Sequence, residues 1–201
     1  MMKKVASALS LLLHPLLMPT LGLLVIFSTQ SHITFIPFEY RRLIVIIVLV
    51  STCILPLSIM PLLLQLHIIK SMQMETARER LVPLLSTAAF FMVGYFFLKK
   101  FHPPTFITLF YLGTLVAVLL SLFISFFWKI SIHTLGIGGL LGALLAIWLK
   151  YGVTTHLWML GVLVAAGLIG SSRLLLGAHN PKQVYAGFLL GVAVLCSMVL
   201  L

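Results

Sequence analysis

The stretch Ser172-Arg173-Leu174-Leu175-Leu176-Gly177-Ala178-His179-Asn180-Pro181-Lys182-Gln183 brings a hydroxyl, a guanidinium and an imidazole to the border between two apolar runs. An Arg at the edge of hydrocarbon is costly unless it reaches the interface or a partner, so an Arg followed shortly by a His marks a candidate site. Pro181 suits the first position of a helix, with Asn180 as N-cap and Gln183 at the third helical position. His179 then stands beside the positive end of a helix, where an anion is favoured, and phosphate is the natural one.

The elements that must hold this stretch follow from composition. Of 201 residues, 62% are hydrophobic and 8% charged. That excess of apolar surface assigns the chain to the multi-span helical membrane proteins. Apolar runs of about twenty residues without period-two alternation argue against a barrel. The expected fold is all-α, a polytopic transmembrane helix bundle of six or seven spans forming one integral membrane domain over residues 1–201. Against thirteen Lys and Arg there are three acids, Glu39, Glu75 and Glu79, giving a net charge of +10. With no aromatic-basic motif for nucleic acid, that charge points to lipid headgroups and phosphates. Cys53 and Cys196 fall within apolar runs and read as small core residues.

The expected spans are 8–27, 43–66, 84–98, 105–127, 135–149, 156–171 and 184–201. Pro15 and Pro19 interrupt the first, and Pro56 and Pro61 predict a kink in the second. If every span crosses, the loop holding Lys70, Arg78 and Arg80, the turn Ser131–His133 and the stretch 172–183 share one side of the membrane. Gly138 with Gly142, Gly187 with Gly191, Gly161 with Ala165 and Ala166 with Gly170 have the spacing of close helix contacts. His14, His32, His67, His102 and His156 have no evident partner in sequence, and His14, next to Pro15, is expected to be structural. No pair of these has the helical spacing of metal ligands.

In these residues the chain resembles the type 2 phosphatidic acid phosphatase family, the metal-independent lipid phosphate phosphatases. That family's third motif is Ser-Arg, five residues, His, three residues, Asp; Ser172, Arg173 and His179 match it, and Gln183 stands at the Asp position. Its second motif, Pro-Ser-Gly-His, is represented by Ile130-Ser131-Ile132-His133, which keeps Ser and His only. Its first, Lys, six residues, Arg-Pro, is only approached by Lys70, Arg78 and Arg80 with Pro83.

The resemblance implies hydrolysis of a lipid phosphate or diphosphate through a phosphohistidine, without cofactor or metal. His179 would attack phosphorus, and His133 would protonate the leaving group and then activate water. Arg173, Arg80 and Lys70 would clamp the phosphoryl oxygens, with Ser131 and Ser172 adding hydroxyl donors. Gln183 has two readings: it orients His179 as the family's Asp does, or it only caps its helix by reaching back to Asn180. The substituted Asp and altered motifs also allow a catalytically weakened relative that binds anionic lipids or a membrane partner. A small transporter is disfavoured, since neither an inverted repeat nor a mid-span charge pair is evident. Likeness to bacterial members places the protein in the inner membrane with the site facing outward. The expected partners are a lipid phosphate substrate and membrane lipids, not nucleic acid.

Overall fold

The computed structural model describes residues 1–29, 31–71, 76 and 78–201. In hydrocarbon a backbone amide has no water to bond, and this chain meets that constraint with helices; no strand occurs among the described residues. In order they are α1 (Met2–Leu12), α2 (Met18–Ser28), α3 (Phe38–Gln65), α4 (Arg78–Lys99), α5 (Thr105–Ser125), α6 (Ile132–Tyr151), α7 (His156–Leu175) and α8 (Pro181–Leu200). The six from α3 to α8 are long and apolar enough to cross a membrane. The protein is an integral membrane protein built as a polytopic helical bundle.

The expected first span, 8–27, is instead two short helices. Pro15 and Pro19 cannot donate to a helical ladder. The chain therefore turns at His14–Leu17, closed by Leu17 N–H on the His14 carbonyl at 2.9 Å and Met18 N–H on the Pro15 carbonyl at 3.2 Å. Neither α1 nor α2 reaches across hydrocarbon: α1 lies against α7, and α2 packs against α3 and α6. The prolines of α3 act as expected. A π turn over Val50–Ile54 precedes Pro56, and the helix is interrupted at Ile59 before Pro61.

The remaining bundle is organised around α6, which packs against α8, α7, α2 and α5. Its contact with α8 is backbone to backbone. A Cβ added at Gly138 or Gly142 would strike the carbonyls of Phe188 or Val192, and one added at Gly187 or Gly191 would strike those of Ser131 or Leu135. Small residues let membrane helices approach this closely. By contrast, Gly161 faces open space, so the Gly161/Ala165 spacing makes no comparable contact.

Gly191→Leu is therefore expected to force α6 and α8 apart, at a cost of roughly 1–3 kcal/mol or more, while Gly161→Leu is tolerated. Thermal unfolding in detergent measures this. Equal melting temperatures for the two variants would contradict the account of the interface.

Chain direction brings one end of the bundle into register. There α4, α6 and α8 begin and α5 and α7 end, so three helix N-termini point at the same region. The turn between α1 and α2 joins them.

Candidate functional site

His179 is positioned by a helix end and a helix start. Gly177, at φ +66°, turns the chain out of α7, a conformation open to glycine without a Cβ clash. Asn180 then caps α8, its side chain accepting from Gln183 N–H at 3.0 Å. Gln183 Oε1 accepts the Asn180 N–H at 3.2 Å and lies 3.0 Å from His179 Nδ1. An atom that accepts from a backbone N–H is an oxygen, so Nδ1 must be the donor to it. In the neutral ring Nε2 then carries the lone pair, and this buried nitrogen has no hydrogen-bond partner among the described residues. Burial, with the Arg80 guanidinium next in importance, lowers the His179 pKa to about 4, against the opposing hydrogen bond from Gln183. His179 is thus a neutral imidazole at pH 7 with a free nitrogen.

His133 sits in the first turn of α6. Ser131 caps that helix through Oγ, which accepts from Thr134 N–H at 3.5 Å, and its own N–H donates to the Gln183 carbonyl at 3.3 Å. Thr134 Oγ1 lies 2.9 Å from the Val184 carbonyl. The first turns of α6 and α8 are thereby tied together, and His133 and His179 lie within electrostatic reach of each other. His133 Nε2 is 3.2 Å from the Ser10 carbonyl; a carbonyl only accepts, so Nε2 bears the hydrogen. The His14 ring meets it edge-on, with centroids 5.6 Å apart. His14 Nδ1 accepts from Leu16 N–H at 3.3 Å, and burial followed by the charge of Arg173 lowers its pKa.

Two guanidinium groups complete the cluster. Arg173 Nη1 donates to Ser10 Oγ at 3.4 Å, and its buried Nε has no hydrogen-bond partner among the described residues. Arg80 is only 5% exposed and donates through Nη1 to the Ile130 carbonyl at 3.2 Å. Each lies within electrostatic reach of the other and of His179, as does Lys129 of His179. Cations facing one another at three helix N-termini favour an anion between them.

Of the residues singled out in sequence, His179, His133, Gln183, Arg173 and Arg80 come together. The two readings of Gln183 are not exclusive: one oxygen both caps α8 and holds His179. Ser131 and Ser172 are close by, but their hydroxyls serve their own helices. Ser131 Oγ is the α6 cap, and Ser172 Oγ donates to the Leu168 carbonyl at 2.7 Å. Back-bonding commits the Ser172 hydrogen to its own helix, whereas Ser131, which accepts as a cap, keeps its hydroxyl hydrogen for a ligand. Lys70 is exposed, and no hydrogen bond or ion pair joins it to the cluster among the described residues. Glu75, one of the three acids, lies outside the described residues. Sequence reasoning missed Ser10, and it placed His14 outside the site. The available signal for His14 was an imidazole in an apolar run beside a proline that breaks the helix. Among the described residues, no group of three or more His, Cys, Asp and Glu is placed to hold a metal ion.

Comparison with known families bears out the resemblance over the carboxyl-terminal part of the chain, where residues 121–201 match the model of the PAP2 superfamily. The matched segment holds α6, α7 and α8, hence His133, Arg173, His179 and Gln183; Arg80, Ser10 and His14 precede it. Members of the superfamily are phosphatases, and the match supports a phosphoester-hydrolase reading of the chain. No curated protein and no solved structure matches it.

Proposed function

With the PAP2 superfamily match as premise, we propose that the protein is a metal-independent membrane phosphatase that hydrolyses a lipid phosphate or diphosphate through a phosphohistidine. The observation that carries this reading is the state of His179: Nδ1–H held by Gln183 and Nε2 unprotonated, buried and free, beside Arg80 and Arg173.

Attack by the Nε2 lone pair forms an N–P bond while the P–O bond to the leaving group breaks. His133, which must enter this step as the imidazolium beside the bound phosphate, gives a proton to the departing oxygen, and the neutral ring then accepts one from the water that cleaves the N–P bond, releasing phosphate. Arg80 and Arg173 bind the phosphoryl oxygens as charge builds on them, in a setting too buried for water to screen the attraction. Ser10 presents its carbonyl to His133 and its hydroxyl to Arg173 Nη1, while Arg173 Nε is left to face the phosphate.

Polyprenyl diphosphate, phosphatidic acid and phosphatidylglycerol phosphate are the candidate substrates, in a bacterial inner membrane with the site on the outer side. A second reading, a weakened relative that binds anionic lipids, is favoured by Gln183 in place of the family's Asp.

Phosphate release from a panel of lipid phosphates by the purified protein tests the proposal. Release that persists in EDTA is expected. No release from any of them would leave the lipid-binding reading, and inhibition by EDTA that added metal reverses would overturn the metal-free mechanism.

A further inference from the structure

Directly behind the phosphate-binding end lies a cavity of about 140 Å³, open at its mouth. One water needs about 10–15 Å³ measured this way, so the cavity has room for roughly ten atoms in a row, the size of a single hydrocarbon chain. Arg80, His14 and Ile132 line the end nearest the site. From there the walls follow α4, α5 and α6 inward to Phe91, Phe110, Leu140 and Leu195. Along α5 the lining runs from Ser121, near the site, to Phe110, about 16 Å of helix axis at the usual rise. That is roughly half the thickness of a bilayer's hydrocarbon core.

The wall is apolar in a stronger sense than composition conveys. Its hydroxyls are spent on their own helices: Thr87 Oγ1 donates to the Pro83 carbonyl at 2.7 Å, Thr114 Oγ1 to the Tyr111 carbonyl at 2.6 Å and Ser121 Oγ to the Val118 carbonyl at 2.8 Å. A water-filled or ion-conducting passage needs polar partners along its length, and buried water needs two to four of them at each position. This wall spares no such donor below Arg80 and His14. Its chemistry fits hydrocarbon.

We propose that this cavity receives one hydrocarbon chain of the substrate, inserted along the helix axes toward mid-membrane while its phosphate lies between Arg80, Arg173 and His179. The assignment rests on the phosphatase reading above and narrows it: the chain lies inside the bundle, and the floor at Phe110, Leu140 and Leu195 measures it. Single-chain lipid phosphates are therefore preferred to two-chain ones, whose second chain has no place in the pocket. Each methylene taken from water into the pocket contributes about fourfold in affinity. Chain length should raise kcat/KM until the tail meets the floor, at about a dozen carbons for a pocket of this depth, and have no further effect beyond it.

The test uses straight-chain alkyl phosphates of increasing length and the variant Ala117→Phe, which builds a ring into the cavity wall. The expected result is an optimum moved to shorter chains, with the longest good substrate of the wild type losing at least about tenfold in kcat/KM. Leu168→Phe, on the exposed face of α7, should leave the optimum in place. An optimum unmoved by Ala117→Phe, with short and long chains equally good, would overturn the pocket and leave the phosphatase standing.

A second measurement needs no turnover and no variant. An alkyl phosphate carrying a photoreactive group at its tail end should label Phe110, Leu140 or Leu195 of the wild-type protein. The same tail on an uncharged headgroup should label them far less. Labelling confined to outward-facing residues such as Val164 and Leu168, or equal labelling by the uncharged probe, would sink the proposal. Labelling of the floor without any phosphate release would sink the phosphatase reading and leave the chain-binding site.

Discussion

His179→Ala is expected to abolish phosphate release, lowering kcat by about 10⁴ or more, the scale seen when the nucleophile is removed from a set of residues that act as a unit. The expectation follows from hydrogen-bond logic. The oxygen that accepts from Asn180 N–H compels His179 Nδ1 to donate, which leaves the lone pair on Nε2. Gln183 points that nitrogen into the space beside Arg80 and Arg173, where phosphorus would sit. No other imidazole in the cluster is so disposed: His133 presents Nε2–H to the Ser10 carbonyl, and His14 has Nδ1 engaged by Leu16 N–H. The alanine variant should also fail to accumulate an acid-labile phosphoenzyme when the wild type is quenched with labelled substrate. Its thermal stability should change little, because the capping of α8 by Asn180 does not require the ring. Turnover near the wild-type rate, or a phosphoenzyme that persists without His179, would remove it from the nucleophile's role.

Some of this was legible in the chain and some was not, and the division follows distance along the sequence. The Arg173–Gln183 stretch works through local rules: a glycine turn, an N-cap, a proline at the first helical position and a side chain reaching back three residues. Such rules need no tertiary contact, and the helix start is found where they put it. The convergence of three polar segments at one end follows from counting spans, and it survives the loss of the first span because the count from α3 onward is unchanged. Ser10 and His14 were hidden because they meet His133 and Arg173 only after α1 folds back on α7, and nothing local to Ser10 announces that contact. The serine of the third motif misleads for the opposite reason. Its type and spacing fit a phosphate site, but the Ser172 hydroxyl finds a nearer acceptor in its own helix at the Leu168 carbonyl, while Ser131, an acceptor at its cap, still has a hydrogen to give. Lys70 has the right charge for the site, but it lies exposed on the surface.

Replacing Gln183 should separate its two roles by the direction of the effect. Gln183→Leu removes the oxygen and leaves both Asn180 N–H and His179 Nδ1–H without an acceptor. Losing the cap costs about 1 kcal/mol of stability. Losing the orienting bond frees the ring to change tautomer and should lower kcat by about 10- to 100-fold, the range set by one unpaired buried donor. Gln183→Asp restores an acceptor and adds a negative charge next to Nδ1–H. That charge favours the imidazolium, so the His179 pKa must rise from about 4 toward the ordinary histidine range. As nucleophile the ring has to be unprotonated, hence the acid limb of kcat/KM should move to higher pH in the Asp variant. At neutral pH kcat should hold or increase, because the carboxylate stabilises the positive charge that develops on the ring as the N–P bond forms. pH profiles of wild type and the Asp variant, measured on one substrate, decide the matter. An unmoved acid limb would show that Gln183 does not govern the ring, and complete loss of activity in a well-folded Asp variant would assign the residue to capping alone.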